Sequence, residues 1–367
     1  MSLPTTMKAV KLVGHGGIEQ LVWDDAFPLR SPGSDEVVVK VGAAGVNNTD
    51  INTRIGWYSK KVEGDTESGG AAGFGDTDLD DDASWSGVPL QFPRIQGADV
   101  AGTIVAVGTN VDPARVGQRV LIASIQTANS RGSDNPVACW TFGSECDGGF
   151  AQYAIAHQDE TYAVSCDWSD AELASIPCAY STAENMLHRA HLQAGERILI
   201  TGASGGVGSA AIQLAKRRGA YVIAQASSSK TTQVLDAGAD EVVDREQNLS
   251  QHLGANSVDM VADLVAGPSW PQLLDVLRPG GRYSTAGAIA GPMVELDVRT
   301  LYLKDLTFFG STYQPPEVFK NLVGYIERGD IKPLVSQTYP LDQIHQAQED
   351  FLAKKFVGKL VLIPPQD

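Results

Sequence analysis

The stretch Ile-Leu-Ile-Thr-Gly-Ala-Ser-Gly-Gly-Val-Gly at residues 198–208 decides the fold. A short apolar run leads into a glycine-rich turn, and apolar residues at helical spacing follow over residues 209–218. Glycines in such a turn let the backbone approach a pyrophosphate, and the positive end of the next helix stabilises the phosphate charge. A second apolar run at residues 221–224 completes a strand–helix–strand unit. The stretch therefore predicts a dinucleotide site rather than a glycine turn with a purely structural role.

The segment after this second run bears on which dinucleotide binds. NAD sites usually carry Asp or Glu about twenty residues beyond the first glycine, where the carboxylate binds the ribose hydroxyls. Residues 225–230 read Gln-Ala-Ser-Ser-Ser-Lys, which offers hydroxyls and a cation but no carboxylate. These groups suit the 2′-phosphate of NADP, so we expect NADP(H). A serine-rich turn that caps a helix beginning near Thr231 is the other interpretation, and both can hold at once.

Composition and charge limit the function. The chain has 367 residues, 43% hydrophobic and 20% charged, which is enough for two domains that each bury a core. The formal net charge of −16 repels nucleic acids and anionic membranes, so we expect neither as a partner. No apolar run reaches membrane-spanning length, no secretion signal is visible, and the four cysteines are irregularly spaced. We therefore expect a cytoplasmic protein that acts on a small molecule.

Two kinds of segment follow each other along the chain. Short β-like runs broken by glycine and proline fill residues 8–157, a pattern typical of a mainly-β domain. From residue 169 to 310, apolar strands alternate with helical segments, including a helix over residues 270–277 and a turn at residues 278–281. This alternation predicts a doubly wound parallel sheet, an α/β architecture.

The predicted organisation is a cofactor domain inserted into a β domain. We expect residues 1–168 to form the catalytic domain, residues 169–310 the cofactor-binding domain, and residues 311–367 a return to the first. The tail contains a predicted helix over residues 344–354 and a last strand at residues 359–363.

Two stretches interrupt the β domain. Residues 58–93 are acidic, and we interpret them as a lid-like loop anchored by Phe74 and Trp85. Five of its aspartates are clustered, namely Asp76, Asp78, Asp80, Asp81 and Asp82. Their alternation is similar to a calcium-binding loop, but its sixth and twelfth positions lack the required glycine and glutamate. The second stretch, residues 123–148, carries two cysteines without the further pair that a closed zinc site needs, which favours free thiols.

Three further motifs resemble those of a known family. They are Gly-Val-Asn-Asn-Thr-Asp at residues 45–50 with Arg54, Gly56 and Tyr58 after it, Gly-Ala-Asp-Val-Ala-Gly at residues 97–102, and Pro-Cys-Ala-Tyr-Ser-Thr-Ala at residues 177–183. The chain resembles the medium-chain dehydrogenase/reductase superfamily and, within it, the zinc-independent quinone oxidoreductase group that includes zeta-crystallin. The resemblance runs from residue 7 to 364 apart from the two interrupting stretches. It implies a Rossmann domain inserted in a mainly-β GroES-like catalytic domain, and a homodimer.

The departures from the zinc-dependent members predict the absence of a catalytic metal. Those members have a Cys ligand where this chain has Asn47, and a His followed by Glu where it has Ala98 and Asp99. Cys178 stands at the third ligand position, but one thiolate does not hold a catalytic zinc, which needs three protein ligands. We expect no metal, with Cys178 as a small buried residue beside the nicotinamide.

Without a metal, hydride transfer depends on an electrophilic substrate and on hydrogen bonds to the oxygen where charge develops. Quinones and α,β-unsaturated ketones meet this need, and a phenol can protonate the resulting anion directly or through water. The resemblance implies that Asn47 and Tyr58 face the nicotinamide, so we expect Tyr58 as acid or oxygen-binding group and Asn47 as second donor. Asn47 satisfying only loop backbone is the alternative. For Asp50 and Arg54 we favour a structural ion pair.

The resemblance also implies the cofactor residues. Thr182 is expected near the nicotinamide, the glycine turn at the pyrophosphate, and Ser227 with Lys230 at the 2′-phosphate. Turns that end sheet strands supply further candidates. The full predicted set is Thr182, Gly202, Ser204, Gly205, Gly206, Val207, Gly208, Ser227, Lys230, Val265, Gly287 and Ala288. Residues 306–311 are predicted as an edge strand that pairs across a two-fold dimer interface.

The sequence leaves rival functions open. The leading expectation is an NADPH-dependent, metal-free reductase of quinones or other conjugated carbonyls. An alcohol dehydrogenase or an enoyl-thioester reductase of the same superfamily is the nearest alternative, and a non-catalytic NADPH-binding protein is the alternative from another class.

Overall fold

The structure is a computed structural model that describes residues 3–74, 82–127, 130 and 132–367. Its strands are β1 (Thr6–Leu12), β2 (Leu21–Pro28), β3 (Glu36–Gly45), β4 (Arg94–Ile95), β5 (Val100–Val107), β6 (Arg119–Ile122), β7 (Ile125–Thr127), β8 (Cys139–Thr141), β9 (Tyr153–His157), β10 (Thr161–Ala163), β11 (Arg197–Ile200), β12 (Tyr221–Ala226), β13 (Glu241–Asp244), β14 (Val258–Asp263), β15 (Leu277–Thr285), β16 (Thr307–Gly310), β17 (Val335–Pro340) and β18 (Lys359–Ile363). Its helices are α1 (Asn48–Ile55), α2 (Thr66–Gly70), α3 (Asp170–Leu173), α4 (Pro177–Arg189), α5 (Gly206–Arg217), α6 (Thr231–Asp236), α7 (Leu249–Leu253), α8 (Trp270–Val276), α9 (Val298–Leu303), α10 (Pro316–Glu327) and α11 (Ile344–Leu352).

The chain divides into two compact units. Unit 1 comprises Met1–Val62, Glu67–Cys178 and Pro315–Asp367, and unit 2 comprises Glu63–Thr66 and Ala179–Gln314. The first main boundary lies after residue 178 rather than after the expected residue 168, because α3 packs on β3 and β5.

Unit 1 is built around β3. This long strand pairs antiparallel with β5 and β9, and its end pairs with β18, which brings the chain's last strand beside residues 44–45. A second sheet has the order β2-β1-β4, and β7 pairs with β8. The inward-facing side chains of β3 and β5 are fully buried and form the core together with Leu12, Phe150 and Leu362. The mainly-β, GroES-like expectation is confirmed.

Unit 2 contains a parallel sheet of order β13-β12-β11-β14-β15-β16, the order of a doubly wound dinucleotide-binding fold. The quoted stretch supplies β11, which is buried at the sheet centre, and the start of α5. The helix begins at Gly206, inside the glycine turn, rather than at the expected residue 209. The predicted Rossmann fold is confirmed.

Some local expectations are wrong. Residues 278–281 do not separate a helix from a strand but lie within β15, where the register against β14 shifts between Val258 and Met260. The acidic stretch is not loop throughout, because it contains the short helix α2. Four of its aspartates, Asp76, Asp78, Asp80 and Asp81, lie outside the described residues. Across the ranges described, no helix combines the length and apolarity needed to span a bilayer.

Candidate active site

The glycine turn of unit 2 has the geometry of a phosphate cradle. Gly202 has φ 57°, a left-handed conformation that favours glycine. A Cβ on Gly208 would collide with the Gly202 carbonyl oxygen, so α5 approaches β11 this closely only because residue 208 is glycine. No side chain caps the N-terminus of α5 at Gly205. The N–H groups of its first turn are therefore oriented to bind an anion, which fits a dinucleotide pyrophosphate.

A buried carboxylate organises the neighbouring loop. Asp263, at the end of β14, is fully buried and accepts hydrogen bonds from Thr201 Oγ1 and Tyr283 Oη, both at 2.6 Å. It also accepts hydrogen bonds from the backbone N–H groups of Val265 at 2.9 Å and Ala266 at 3.2 Å. These contacts hold Val265 next to Gly202, where a Cβ on the glycine would lie 3.3 Å from Val265 Cγ2. The sequence pointed to this strand end as a cofactor candidate but gave no role to Asp263 itself, although an acidic residue that ends a buried strand was a usable signal.

The other predicted cofactor residues of unit 2 fall on turns and helix ends. A Cβ on Gly287 would lie 3.0 Å from the Leu264 carbonyl oxygen, so the turn after β15 adjoins the loop after β14. Ala288 is partly buried beside it, and Ser204 is partly buried in the glycine turn. Thr182 is partly buried on α4. The turns that end β11, β14 and β15 therefore lie together at one edge of the sheet, where dinucleotides bind in this fold.

The predicted 2′-phosphate segment forms a short 3₁₀ turn over Ser228–Lys230 before α6. Neither Ser227 nor Lys230, which occupy the two N-cap positions, makes a side-chain capping hydrogen bond, so the capping interpretation has no support. Ser227 Oγ lies 3.0 Å from Ser229 Oγ. Sequence reasoning missed Asp244, whose carboxylate accepts the Ser228 N–H at 2.8 Å. Backbone hydrogen bonds, first of all from Glu246, hold the pKa of Asp244 below its ordinary value.

In unit 1, α1 begins in a capping box. The Asn47 N–H donates to Asp50 Oδ2 at 2.8 Å, and the Asn47 side chain faces the backbone N–H of residue 50. Asp50 also accepts the Gly97 N–H at 3.2 Å. The pKa of the Asp50 carboxyl is raised to about 7: burial and, to a smaller extent, the nearby Asp99 charge raise it, and the hydrogen bond from the Asn47 N–H offsets part of this rise.

The predicted ion pair between Asp50 and Arg54 is wrong. The buried Arg54 guanidinium donates to the carbonyl oxygens of Gly16 at 2.8 Å and Gly70 at 2.6 Å, and to Gln348 Oε1 at 3.0 Å. Asp50 accepts its hydrogen bonds in the capping box at the N-terminal end of the helix, whereas Arg54, near the C-terminal end, binds carbonyl oxygens of other segments.

The Asn47 amide belongs to a buried charged cluster. Its Nδ2 donates to Asp99 Oδ2 at 2.9 Å, and its Oδ1 accepts from Lys359 Nζ at 2.5 Å. Lys359 Nζ lies 2.7 Å from Asp99 Oδ2, and the two side chains are 3% and 0% exposed. The Cys178 N–H donates to Asp99 Oδ1 at 2.6 Å. Sequence reasoning missed Lys359, which enters the cluster because β18 pairs with β3.

This cluster, Asn47, Asp99, Cys178 and Lys359, does not fit a zinc ion. It contains Asn47 and Cys178, two of the three positions at which the zinc-dependent members have ligands, and the third position is Ala98, which has no ligating atom. The Asn47 amide is bonded on both sides, and an ammonium group already balances Asp99. A second cation beside Lys359 would be repelled in a site with almost no solvent screening. Among the described residues, no three His, Cys, Asp or Glu side chains are grouped to hold a metal.

Tyr58 returns to the N-terminal end of α1. After the helix ends at Ile55, the chain turns, and the Tyr58 hydroxyl donates to Thr49 Oγ1 at 3.0 Å. The indole of Trp85 donates to the same oxygen at 2.9 Å, and its ring lies 4.9 Å from that of Tyr58. Burial raises the pKa of the Tyr58 phenol above its ordinary value, although hydrogen bonds with Thr49 and Asn52 lower it. Tyr58 and Asn47, both predicted for the site, thus gather around the start of α1.

Comparison with known proteins agrees with this architecture. Residues 33–165 match the family described as "Alcohol dehydrogenase GroES-like domain", and residues 206–328 match "Zinc-binding dehydrogenase". The quinone oxidoreductase of Sus scrofa is 30% identical over 374 residues, which cover 97% of this chain and 98% of that protein. The acryloyl-coenzyme A reductase of Metallosphaera sedula is 28% identical over 365 residues, covering 97% and 99% of the two chains.

A solved structure is more similar in sequence. The putative alcohol dehydrogenase of Sinorhizobium meliloti is 46% identical, with a TM-score of 0.86, and the match covers 99% of this chain and 98% of that one. Quinone, thioester and alcohol substrates are thus all represented among the names of the relatives.

Proposed function

Because the chain belongs to the medium-chain dehydrogenase/reductase superfamily and its quinone oxidoreductase-like group, we propose that it is an NADPH-dependent, metal-free reductase of quinones or other conjugated carbonyl compounds. That it is an oxidoreductase with a nicotinamide cofactor follows from the family. The observation that carries the finer proposal is the buried Lys359 ammonium, which balances Asp99 among the positions where metal-dependent relatives would bind zinc.

Unit 2 would bind the cofactor. When bound, the reduced nicotinamide supplies the hydride. The first-turn N–H groups of α5, from Gly206 to Gly208, would hold the pyrophosphate, and Val265 is fixed beside the turn by Asp263. Ser227 and Lys230 would bind the 2′-phosphate, since no carboxylate follows β12 in the position used by NAD sites. The negative charge of the Asp244 carboxylate, which accepts the Ser228 N–H, would weaken binding of the 2′-phosphate. We propose that the serine hydroxyls and Lys230 outweigh this repulsion.

Unit 1 would stabilise the charge that develops on the substrate oxygen. No Lewis acid polarises the carbonyl in this proposal, so the acceptor must be conjugated, and hydrogen-bond donors must face its oxygen. The donors gathered at the start of α1 are hydroxyl groups, and the raised pKa of Tyr58 keeps its phenol neutral. A neutral phenol donates a hydrogen bond without first losing a proton, which suits this role.

A second candidate is reduction of an enoyl thioester. It is favoured by the similarity to an acryloyl-coenzyme A reductase along almost the whole chain. Both candidates require a double bond conjugated to a carbonyl, so they share one site chemistry. Oxidation or reduction of simple alcohols and ketones is disfavoured, because an unconjugated carbonyl needs stronger polarisation than neutral hydroxyls provide.

The test is cofactor oxidation against a panel of quinones, enones, enoyl thioesters and simple ketones, with NADPH and NADH, before and after chelation. We expect turnover with conjugated acceptors only, a preference for NADPH, and full activity after chelation. Stoichiometric zinc whose removal abolishes turnover would overturn the metal-free proposal, and turnover restricted to simple ketones would overturn the substrate class.

We also propose that two copies of the chain form a homodimer. In unit 2, β16 ends the sheet order, and its Thr307 and Phe308 side chains are exposed. The neighbouring helix α9 exposes large apolar side chains, with Tyr302 at 59% and Leu303 at 71%. An open strand edge beside an apolar surface favours pairing with a second copy about a two-fold axis.

A further inference from the structure

We infer that Tyr283 links the outer edge of the unit 2 sheet to the dinucleotide site, so that pairing of β16 with a second copy of the chain tightens dinucleotide binding. Tyr283 is a positioning residue in this arrangement, because it acts through Asp263 and not by touching the cofactor. The inference rests on the proposed function, both on its nicotinamide cofactor and on its homodimer. It gives the β16 edge a role beyond assembly.

The loop after β14 has a conformation that its sequence does not favour. Ala266 has φ 53° and Gly267 has φ 70°, so both residues lie in the left-handed region. Glycine adopts this region readily, whereas the Cβ of alanine makes it sterically costly. Strain of this kind persists where surrounding contacts impose it, and it is common at ligand-binding sites. The conformation of Ala266 therefore points to contacts that hold the loop in shape.

The Asp263 carboxylate supplies those contacts. The Ala266 N–H lies 3.2 Å from both of its oxygens, and the Val265 N–H lies 2.9 Å from Oδ1. Two hydroxyl groups set the orientation of the carboxylate, since Thr201 donates to Oδ1 and Tyr283 donates to Oδ2, both at 2.6 Å. Without the Tyr283 hydroxyl, Oδ2 loses its strongest donor, and the carboxylate is free to turn away from the Ala266 N–H.

The same loop supports a second predicted cofactor segment. The Ala290 N–H donates to the Val265 carbonyl oxygen at 2.9 Å, and a Cβ on Gly267 would lie 2.7 Å from the Ala290 carbonyl oxygen. The loop and the turn after β15 are therefore packed backbone against backbone. Gly287 and Ala288, both predicted to bind the cofactor, lie in that turn. The orientation of one carboxylate thus affects two of the segments that would hold the dinucleotide.

Two aromatic side chains hold the Tyr283 ring. The ring centroid of Tyr283 lies 5.7 Å from that of Trp270 and 5.2 Å from that of Phe308, and the latter two are 5.9 Å apart. These separations are in the range that aromatic pairs prefer. Trp270 and Tyr283 are each 4% exposed, whereas Phe308 is 36% exposed. Phe308 is thus the member of this aromatic group that solvent, or a second copy of the chain, can reach.

Phe308 connects this aromatic group to the edge of the sheet. It lies on β16, the last strand in the sheet order, and it stands opposite Tyr283 in the register between β15 and β16. A second copy paired at β16 would cover the exposed part of the Phe308 ring and restrict the Tyr283 ring behind it. The hydroxyl then stays on Asp263, and the strained loop is more fully populated. By linkage, the bound dinucleotide tightens the dimer by the same factor.

The first test uses Tyr283→Phe, which removes the hydroxyl and keeps the ring. In calorimetric titration, the affinity for NADPH should fall about 5- to 20-fold, whereas kcat at saturating NADPH should change less than about 2-fold. In the cofactor-free protein, hydrogen exchange at the Val265 and Ala266 amides should become about 10-fold faster or more, with the amides of β11 unchanged. Tyr221→Phe is the matched control, because the Tyr221 hydroxyl contacts Glu241 at an exposed site of the same sheet, and it should match the parent.

The second test addresses the edge. Leu303 lies at the proposed dimer interface and outside the aromatic group, so Leu303→Arg separates the copies without touching Tyr283. The resulting monomer should bind NADPH about 5- to 20-fold more weakly than the parent dimer. If the edge acts through the Tyr283 hydroxyl, adding Leu303→Arg to Tyr283→Phe should weaken NADPH binding by less than about 2-fold more.

Three results overturn the inference while the proposed function stands. They are a Tyr283→Phe variant with the parent's NADPH affinity and amide exchange, a Leu303→Arg monomer that binds NADPH as tightly as the parent dimer, and losses that multiply in the double variant. A parent that is already monomeric overturns the homodimer and this link with it. A parent that binds neither NADPH nor NADH overturns the proposed function itself. If Tyr283→Phe does not fold, the comparison of the Leu303→Arg monomer with the parent dimer decides.

Discussion

Removal of the buried ammonium, by Lys359→Met, should destabilise the protein by about 3–5 kcal/mol, the range for breaking a buried pair by deleting one partner. Lys359 Nζ and Asp99 Oδ2 are 2.7 Å apart, and both side chains are almost fully buried. At that distance the attraction is about 6 kcal/mol for an effective dielectric constant of about 20. Asp99 keeps its hydrogen bonds from Cys178 and Asn47, so the loss should fall below that figure.

The assay is urea unfolding at constant pH, with Lys11→Met as the control. Lys11 pairs with Asp24 at 2.8 Å near the surface, and its loss should cost about 1 kcal/mol or less. Adding Asp99→Asn to Lys359→Met removes the uncompensated charge and should recover part of the stability. The reasoning is refuted if Lys359→Met costs no more than Lys11→Met, or if the double variant is less stable than Lys359→Met alone.

Three further outcomes are expected. Lys230→Ala should weaken NADPH binding about 10-fold or more and leave NADH binding unchanged, because one charged hydrogen bond to the 2′-phosphate is lost. Calorimetric titration with both cofactors measures this, and an equal loss of affinity for NADPH and NADH would contradict it. The pKa of the Asp50 carboxyl is about 7 in the folded protein, above its ordinary value of 3.8, so between these pH values the folded state binds one proton more than the unfolded state. The free energy of unfolding should therefore fall as the pH rises from about 4 to 7, by at most about 1.4 kcal/mol per pH unit. Unfolding of Asp50→Asn should lack this slope, and an identical pH dependence of the two proteins would count against it. Leu303→Arg should convert the proposed dimer to a monomer in light scattering, and a parent that is already monomeric would disprove the interface.

The fold could be predicted from sequence where local pattern and tertiary structure agree. The stretch at residues 198–208 combines a buried strand with glycines that only a close strand-to-helix turn requires, and its environment in the sheet is the expected one. The start of α5 was missed by three residues because glycine is a poor helix former, and the helix nevertheless includes the last glycines of the turn. Close packing of these glycines against the end of β11 outweighs their low helix propensity.

The site was less predictable because its contacts join distant parts of the chain. Asp50 and Arg54 are four residues apart in a helix, which is the spacing of an ion pair. In the structure, however, Asp50 binds the Gly97 N–H and Arg54 binds the Gly16 carbonyl oxygen, both from distant parts of the chain. Lys359 begins an apolar strand, and a lysine at such an end is ordinarily solvent-exposed. Only the pairing of β18 with β3 brings it to Asn47, 312 residues away in sequence. No local periodicity carries that information.

The buried cluster and the aromatic pair Tyr58 and Trp85 have different roles at the start of α1. Lys359 and Asp99 fix the Asn47 amide and, through the capping box, the first turn of the helix, while Tyr58 and Trp85 converge on Thr49 in that turn. The first set therefore fixes where the Thr49 oxygen lies, and the second set supplies the hydrogen bonds to that oxygen. A change in the first set should lower stability and turnover together, whereas loss of the Trp85 N–H should lower turnover with little loss of stability. Measuring both quantities on Lys359→Met and Trp85→Phe distinguishes the two roles, and parallel losses in both variants would show that they are one network.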